Sequence, residues 1–339
     1  MTTLTRLTPL MTISALVILG CHDAPDPIAP APTVAPLQSS SVIPEGYVAT
    51  PAGLYHASCV HEVPSGAVIS SALSVSLPSG ATYQIPKCLF PTRVQSIPAP
   101  VPGNGATAWK EWTASIRPSN PFRRITARWL VPADPPGAAS YPGTTKTYYT
   151  FPGLQTDLDG INDAIIQPVL QFGFNGEYGG PYWTIASWRC GNDQAGCFHT
   201  QPIQVAAGDT IFGDVRGKTV PAYWRDMAEG PDCAPSAQYC RWWTTTSPRP
   251  VRTYGSTTLV FSESSNYTFA TSGAVETYHM ATCADYPPQG VFYDQVTVYD
   301  VNSNPTSPDW FPNYASDGTP NCNFLVTFTA TTANLFHGQ

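Results

Sequence analysis

Charge is scarce in this sequence. Only 12% of its 339 residues are charged, 16 basic against 23 acidic, with no basic cluster, so the electrostatic footprint of a nucleic-acid binder is missing. Beyond the N-terminal segment no apolar run approaches the roughly 20 residues that a bilayer-spanning helix needs. No 3.6-residue apolar periodicity persists for a dozen residues, which argues against a helical protein. There is no His-Glu-x-x-His, no Gly-x-Ser-x-Gly, no phosphate-cradling glycine loop and no dinucleotide fingerprint. His22, His56, His61, His199, His279 and His337 are scattered, so neither a resident metal nor a cofactor is expected. QTDLDGIND groups Asp157, Asp159, Asn162 and Asp163, but it fits a calcium loop poorly and reads as a solvated turn.

What is present points to an exported β protein. Thirty-six prolines and 26 glycines accompany abundant Tyr, Trp and Thr, a mixture that suits short strands and many turns. MTTLTR carries one positive charge, LTPLMTISALVILG follows as an apolar stretch, and Gly20 precedes Cys21. Ile-Leu-Gly-Cys resembles the lipobox of bacterial lipoproteins. That resemblance implies a signal peptide over residues 1–20, a lipidated Cys21, and attachment to a membrane of the bacterial cell envelope outside the cytoplasm.

The cysteines agree with this. There are nine, and removing a lipidated Cys21 leaves an even number to pair in an oxidising compartment. Zinc ligation is disfavoured because there is no Cys-x-x-Cys and no nearby His pair. Sequential pairing predicts Cys59–Cys88, Cys190–Cys197, Cys233–Cys240 and Cys283–Cys322.

Residues 21–46 form a Pro/Ala/Ser tract and read as a semi-extended tether. Residues 47–95 hold alternating strands such as AVISSALSVSL between Cys59 and Cys88, and read as a small β subdomain stapled by one disulfide. SIPAPVPGNG, residues 96–105, reads as a linker. From 106 to 339, short apolar strands alternate with Gly, Pro, Asn and Asp turns at spacings near ten residues. They include RITARWLV, TKTYYTF, AIIQPVLQF, YWTIASW, DTIFGDV, STTLVFS, AVETYHM and QVTVYDV. The expected fold is all-β: a two-sheet antiparallel β-sandwich of the jelly-roll kind.

DAIIQPVLQFGF is the most informative stretch. A period of two puts Ile165, Gln167, Val169 and Gln171 on one face and Ile166, Pro168, Leu170 and Phe172 on the other. The order of segments, from Trp112 through FRRITARWLVP, YYTFPG, AIIQPVLQF, YWTIASW and IQVAAGDTIFGDV to a late AVETY, resembles the eqolisins, glutamic peptidases with a concanavalin-like β-sandwich. Their strand glutamine and late glutamate form the catalytic pair. The resemblance implies that role for Gln167, which stands in Ala-Ile-Ile-Gln, and for Glu276 in AVETY. Alignment on Ala274 would instead place His279 there; Glu276 is favoured because Tyr278 and Met280 share its parity and could wall a pocket. Gln171, Trp183, Trp188 and Tyr278 are the further cleft-lining candidates.

The chemistry is coherent. A carboxylate can take a proton from water as it attacks a peptide carbonyl, and a neutral amide can donate to the oxyanion that develops. The expected partner is then a peptide or protein substrate, cleaved in acid by a carboxylate of ordinary pKa. The alternative is a non-catalytic surface module that binds carbohydrate or peptide with the aromatics of the same sheet.

Overall fold

Period-two patterning becomes sheet throughout the described residues. The computed structural model describes residues 43–70, 73–91, 93–95, 109–117, 119–156, 164–191, 194–219, 240–249, 255–263, 266–314 and 320–337. The N-terminal part carries β1 (Tyr47–Thr50), β2 (Gly53–His56), β3 (Val60–Val63), β4 (Val68–Ile69), β5 (Ser74–Ser76), β6 (Thr82–Gln84) and β7 (Arg93–Gln95). The middle forms β8 (Trp109–Ile116), β9 (Arg124–Leu130), β10 (Thr147–Gln155), β11 (Ala164–Phe174), β12 (Gly179–Gly191), β13 (Gly196–Thr200), β14 (Ile203–Val205) and β15 (Thr210–Thr219). The last third adds β16 (Cys240–Arg249), β17 (Thr257–Glu263), β18 (Phe269–Tyr278), β19 (Val291–Tyr299), β20 (Pro305–Thr306), β21 (Phe311–Tyr314), β22 (Leu325–Phe328) and β23 (Ala333–Phe336). Among the described residues there is no α-helix.

Two large sheets make the sandwich. One has nine strands in the order β21-β8-β18-β10-β11-β12-β13-β3, with β14 beside β12. The other has eleven, β22-β23-β19-β9-β15-β16-β17-β4-β5-β6, with β20 beside β19. All pairings are antiparallel except β3 on β13 and β4 on β17. Ile166, Leu170 and Phe172 of β11 and Val275 of β18 meet Trp129, Ile211, Val215 and Tyr293 from the opposite sheet in one buried core. A polar patch interrupts this layer, where Ser187 Oγ bonds the Thr257 carbonyl and the Thr246 and Thr257 hydroxyls.

The nine-stranded sheet has a second buried face, turned away from its partner. Tyr149, Phe151, Ile165, Val169, Trp188, Ala274 and Tyr278 form it, and Val48, Leu54 and Tyr55 of the β1–β2 hairpin pack on them. With β7, this hairpin makes a third, three-stranded sheet.

The stretch expected to be a separate subdomain is thus woven into the sandwich, and residues 40–339 form one unit. So short a stretch buries too little surface for a core of its own. Its strands instead cover a sheet face and two sheet edges, which also hides unpaired backbone at β13 and β17. The disulfides Cys59–Cys88, Cys190–Cys197 and Cys283–Cys322 form as sequential pairing predicts. Cys233 of the proposed Cys233–Cys240 pair, the acidic turn at 157–163, the signal peptide, most of the tether and the 96–105 linker lie outside the described residues.

Two prolines shape the middle of the sheet. The flanking pairs Thr150↔Leu170 and Leu154↔Ile166 set Pro152 of β10 opposite Pro168 of β11. Neither has an N–H to donate, so the ladder opens there. The same register sets Gly153 opposite Gln167, and a Cβ on Gly153 would lie 3.4 Å from that of Gln167. Gln167 stands beside a local break in the hydrogen-bond ladder.

Candidate active site

β11 lies between β10 and β12, and β18 lies on the other side of β10. Strand alternation decides which side chains face outward. On β11, Ile165 and Val169 take the outer face, and Gln167 between them has no exposed surface. On β18, Ala274 and Tyr278 take that face while Val275 enters the inter-sheet core, so Glu276 also points outward and is fully buried. Tyr149 of β10 pairs with Glu276 on one side and Gln171 on the other.

Both residues of the expected pair reach the same four-residue turn, Thr50-Pro51-Ala52-Gly53, at the tip of the β1–β2 hairpin. Gln167 Nε2 donates to the Pro51 carbonyl oxygen at 2.8 Å. The Tyr278 hydroxyl donates to Glu276 Oε1 and lies 3.1 Å from the Thr50 carbonyl oxygen. Tyr149 Oη donates to the Ala49 carbonyl oxygen at 3.0 Å, and the Gly53 N–H faces the Glu276 carboxyl. Three successive carbonyls and one N–H of this hairpin tip are therefore met by side chains of one sheet face. Gln167 and Glu276 do not bond to each other: Gln167 Oε1 and Glu276 Oε2 have no hydrogen-bond partner of regular geometry among the described residues.

Burial dominates the electrostatics. It pushes the Glu276 carboxyl up to about 8, against the opposing pull of the Tyr278 hydroxyl, the Trp109 indole N–H and the Gly53 N–H. With the hairpin seated, Glu276 therefore holds its proton through the acid range and to neutrality. The expectation of a carboxylate with ordinary pKa does not hold in this closed arrangement. Tyr278 and Tyr149 are raised by the same burial and stay protonated donors.

The other candidates separate by parity. Trp188 pairs with Gln167 on β12 and lies on the outer face, its indole N–H donating to the Tyr178 hydroxyl and its ring beside His199. Trp183 is an odd number of residues away and packs in the inter-sheet core against Phe172 and Tyr148; it does not line the cleft. Gln171 shares the face of Gln167 but braces the β11–β12 turn, donating to the carbonyls of Gly173 and Tyr178. β18 ends at Tyr278, and His279 has a φ of 58°. Its ring bonds the Thr145 hydroxyl outside the cleft. That turn also sends Met280 into the inter-sheet core, so it does not wall a pocket beside Glu276.

Tyr149, Trp109 and the Thr50–Gly53 turn are the parts of the site that sequence reading missed. Tyr149 was open to discovery through the parity of TKTYYTF once its register against β11 and β18 was known. The turn had no such signal. Among known proteins, no family model and no curated sequence matches this chain.

Proposed function

We propose that this chain is a glutamic-type peptidase, related to the eqolisins, in which Gln167 and Glu276 act on a peptide bound along the outer face of the nine-stranded sheet. The observation that carries this reading is the grip on the hairpin: a buried amide on a peptide carbonyl and a buried carboxyl facing an amide N–H two residues on. In an open, hydrated cleft the Glu276 carboxyl loses much of the burial that holds its proton, and its carboxylate can deprotonate water. The water oxygen attacks the carbonyl carbon, Gln167 Nε2 donates to the oxyanion, and the proton on Glu276 passes to the leaving nitrogen as the C–N bond breaks. Tyr278 orients the carboxyl.

The rival is a peptide- or glycan-binding module without turnover. The aromatics give the glycan form little support, since Trp183 lies in the inter-sheet core and the ring of Trp188 lies against His199 and Tyr178. The deciding experiment is hydrolysis of an unfolded protein from acid to neutral pH, with the Tyr47–His56 hairpin both intact and altered at its tip. Gln167→Ala should lower turnover about 10²–10³-fold, and Glu276→Gln should abolish it with the fold retained. Saturable peptide binding with no turnover in any form would assign the module instead.

Export to the cell envelope belongs to the same proposal. Three disulfides fit an oxidising compartment, and mass spectrometry of the mature chain should find Cys21 acylated at its N-terminus. A mature chain that starts elsewhere without lipid would remove the anchor.

A further inference from the structure

We infer that the Tyr47–His56 hairpin is an internal ligand of this cleft: its Ala49–Gly53 backbone occupies the place of a peptide substrate and keeps the chain latent until the hairpin is lifted. This rests on the peptide-binding reading of the site and adds what fills it, how it is recognised and why it is not cut.

Recognition runs through backbone atoms. Tyr149 meets the carbonyl of Ala49, Tyr278 that of Thr50, Gln167 that of Pro51, and Glu276 faces the N–H of Gly53. None of these contacts reads a side chain of the hairpin, so the same four groups can hold the backbone of another peptide that turns in the same way with small residues at the centre. The hairpin residues there are small: Ala49 is fully buried and Ala52 nearly so, while Val48 and Leu54 pack on the sheet at either side.

The register explains resistance to cleavage. Hydrolysis requires that the carbonyl on the oxyanion donor and the nitrogen facing the acid belong to one peptide bond. Here Gln167 holds the Pro51 carbonyl, whereas Glu276 faces the nitrogen of Gly53, one bond further along. The nitrogen of the Pro51–Ala52 bond donates instead to Thr50 Oγ1 at 3.2 Å, and that hydroxyl donates to the Gly53 carbonyl oxygen at 2.8 Å. Thr50 thus locks the turn out of the reactive register. The downstream arm is held as well, since Cys59 is tied to Cys88 and β3 is paired with β13.

Thiol labelling tests this without relying on activity. Val169 is fully buried on the outer face beside Gln167, and Val169→Cys leaves both members of the pair in place. With the hairpin unaltered, this thiol should react with a maleimide at least ~10²-fold more slowly than a free thiol, because a covered site reacts only through opening. Ala52→Arg should lift the tip and restore fast labelling. Gly53→Val is the second variant, since Gly53 sits at φ 112°, which a β-branched residue does not adopt; near-UV circular dichroism checks that each variant stays folded. Labelling that is fast in Val169→Cys with the hairpin unaltered, or unchanged by both folded tip variants, would overturn the inference, as would measurable peptidase turnover that is equal before and after the tip is altered. Faster labelling together with newly gained turnover supports latency. Faster labelling without turnover in either opened variant leaves the hairpin as ligand of a peptide-binding cleft and removes the peptidase reading alone.

Discussion

The sharpest quantitative consequence concerns Glu276. Burial raises its carboxyl from an ordinary value of 4.5 to about 8 in the folded chain. A raised acid binds a proton in the native state that the unfolded state has already released, so unfolding free energy falls as pH rises through the window between the two values. The slope for one such group is about 1.4 kcal/mol per pH unit. Between pH ~5 and pH ~7 the loss is roughly 2.5 kcal/mol, a large part of the total stability of a domain. Stability from this group is thus complete in acid and diminishes toward pH 8. Glu276→Gln keeps shape and hydrogen bonding but cannot ionise. The measurement is urea unfolding of the disulfide-intact protein at several pH values, comparing the chain with Glu276→Gln. Glu111 also titrates high, raised by burial and partly offset by its bond to His337, but it is present in both proteins and drops out of the difference. The gap between the two curves should change by a few kcal/mol over the window; parallel curves would refute the burial argument. Where lifting the hairpin becomes easier than unfolding, the slope should flatten and labelling of Val169→Cys beneath the hairpin should rise.

Three further outcomes follow from particular contacts. Gln171→Ala should lower stability by about 1–3 kcal/mol, because the carbonyls of Gly173 and Tyr178 each lose one donor, Tyr178 keeping the Asn175 N–H; unlike Gln167→Ala it should leave the rate of any opened form unchanged, which thermal unfolding and turnover measured together would check. Gly213→Ala should cost about 1–3 kcal/mol, since a Cβ there would meet the Pro168 ring at 2.5 Å and Trp129 at 3.0 Å; an unchanged melting temperature would show that the sheets can part to admit a methyl. Replacing Cys59 and Cys88 together by Ala should cost about 3.5 kcal/mol on the chain-entropy view, for a separation of 29 residues, and should speed labelling under the hairpin. Equal melting temperatures with and without reductant would contradict this.

Much of the architecture was legible because its causes are local. Alternation in AIIQPVLQF and YWTIASW sets which side chains share a face whatever the strands pair with; by the same rule the odd spacing of Trp183 and Trp188 meant that only one of them could line the cleft, although both were expected there. Glu276 and His279 also differ in parity. That only one could face the cleft was therefore readable; which one waited on where β18 ends. Cysteine order anticipated three disulfides, because short sequential loops close most easily.

Tertiary structure alone decided what lies over Gln167 and Glu276. The carboxyl's pKa follows from being roofed, which no property of AVETY announces. The roof is a hairpin more than a hundred residues upstream of β11, recognised through carbonyl oxygens and an N–H that every residue possesses. Backbone recognition leaves no side-chain signature, so YVATPAGLYH reads as an ordinary hairpin until the sheet beneath it is built. The same holds for β3 and β4: a strand's apolar pattern states that it must be covered, and only the assembled sheets show which edge it covers.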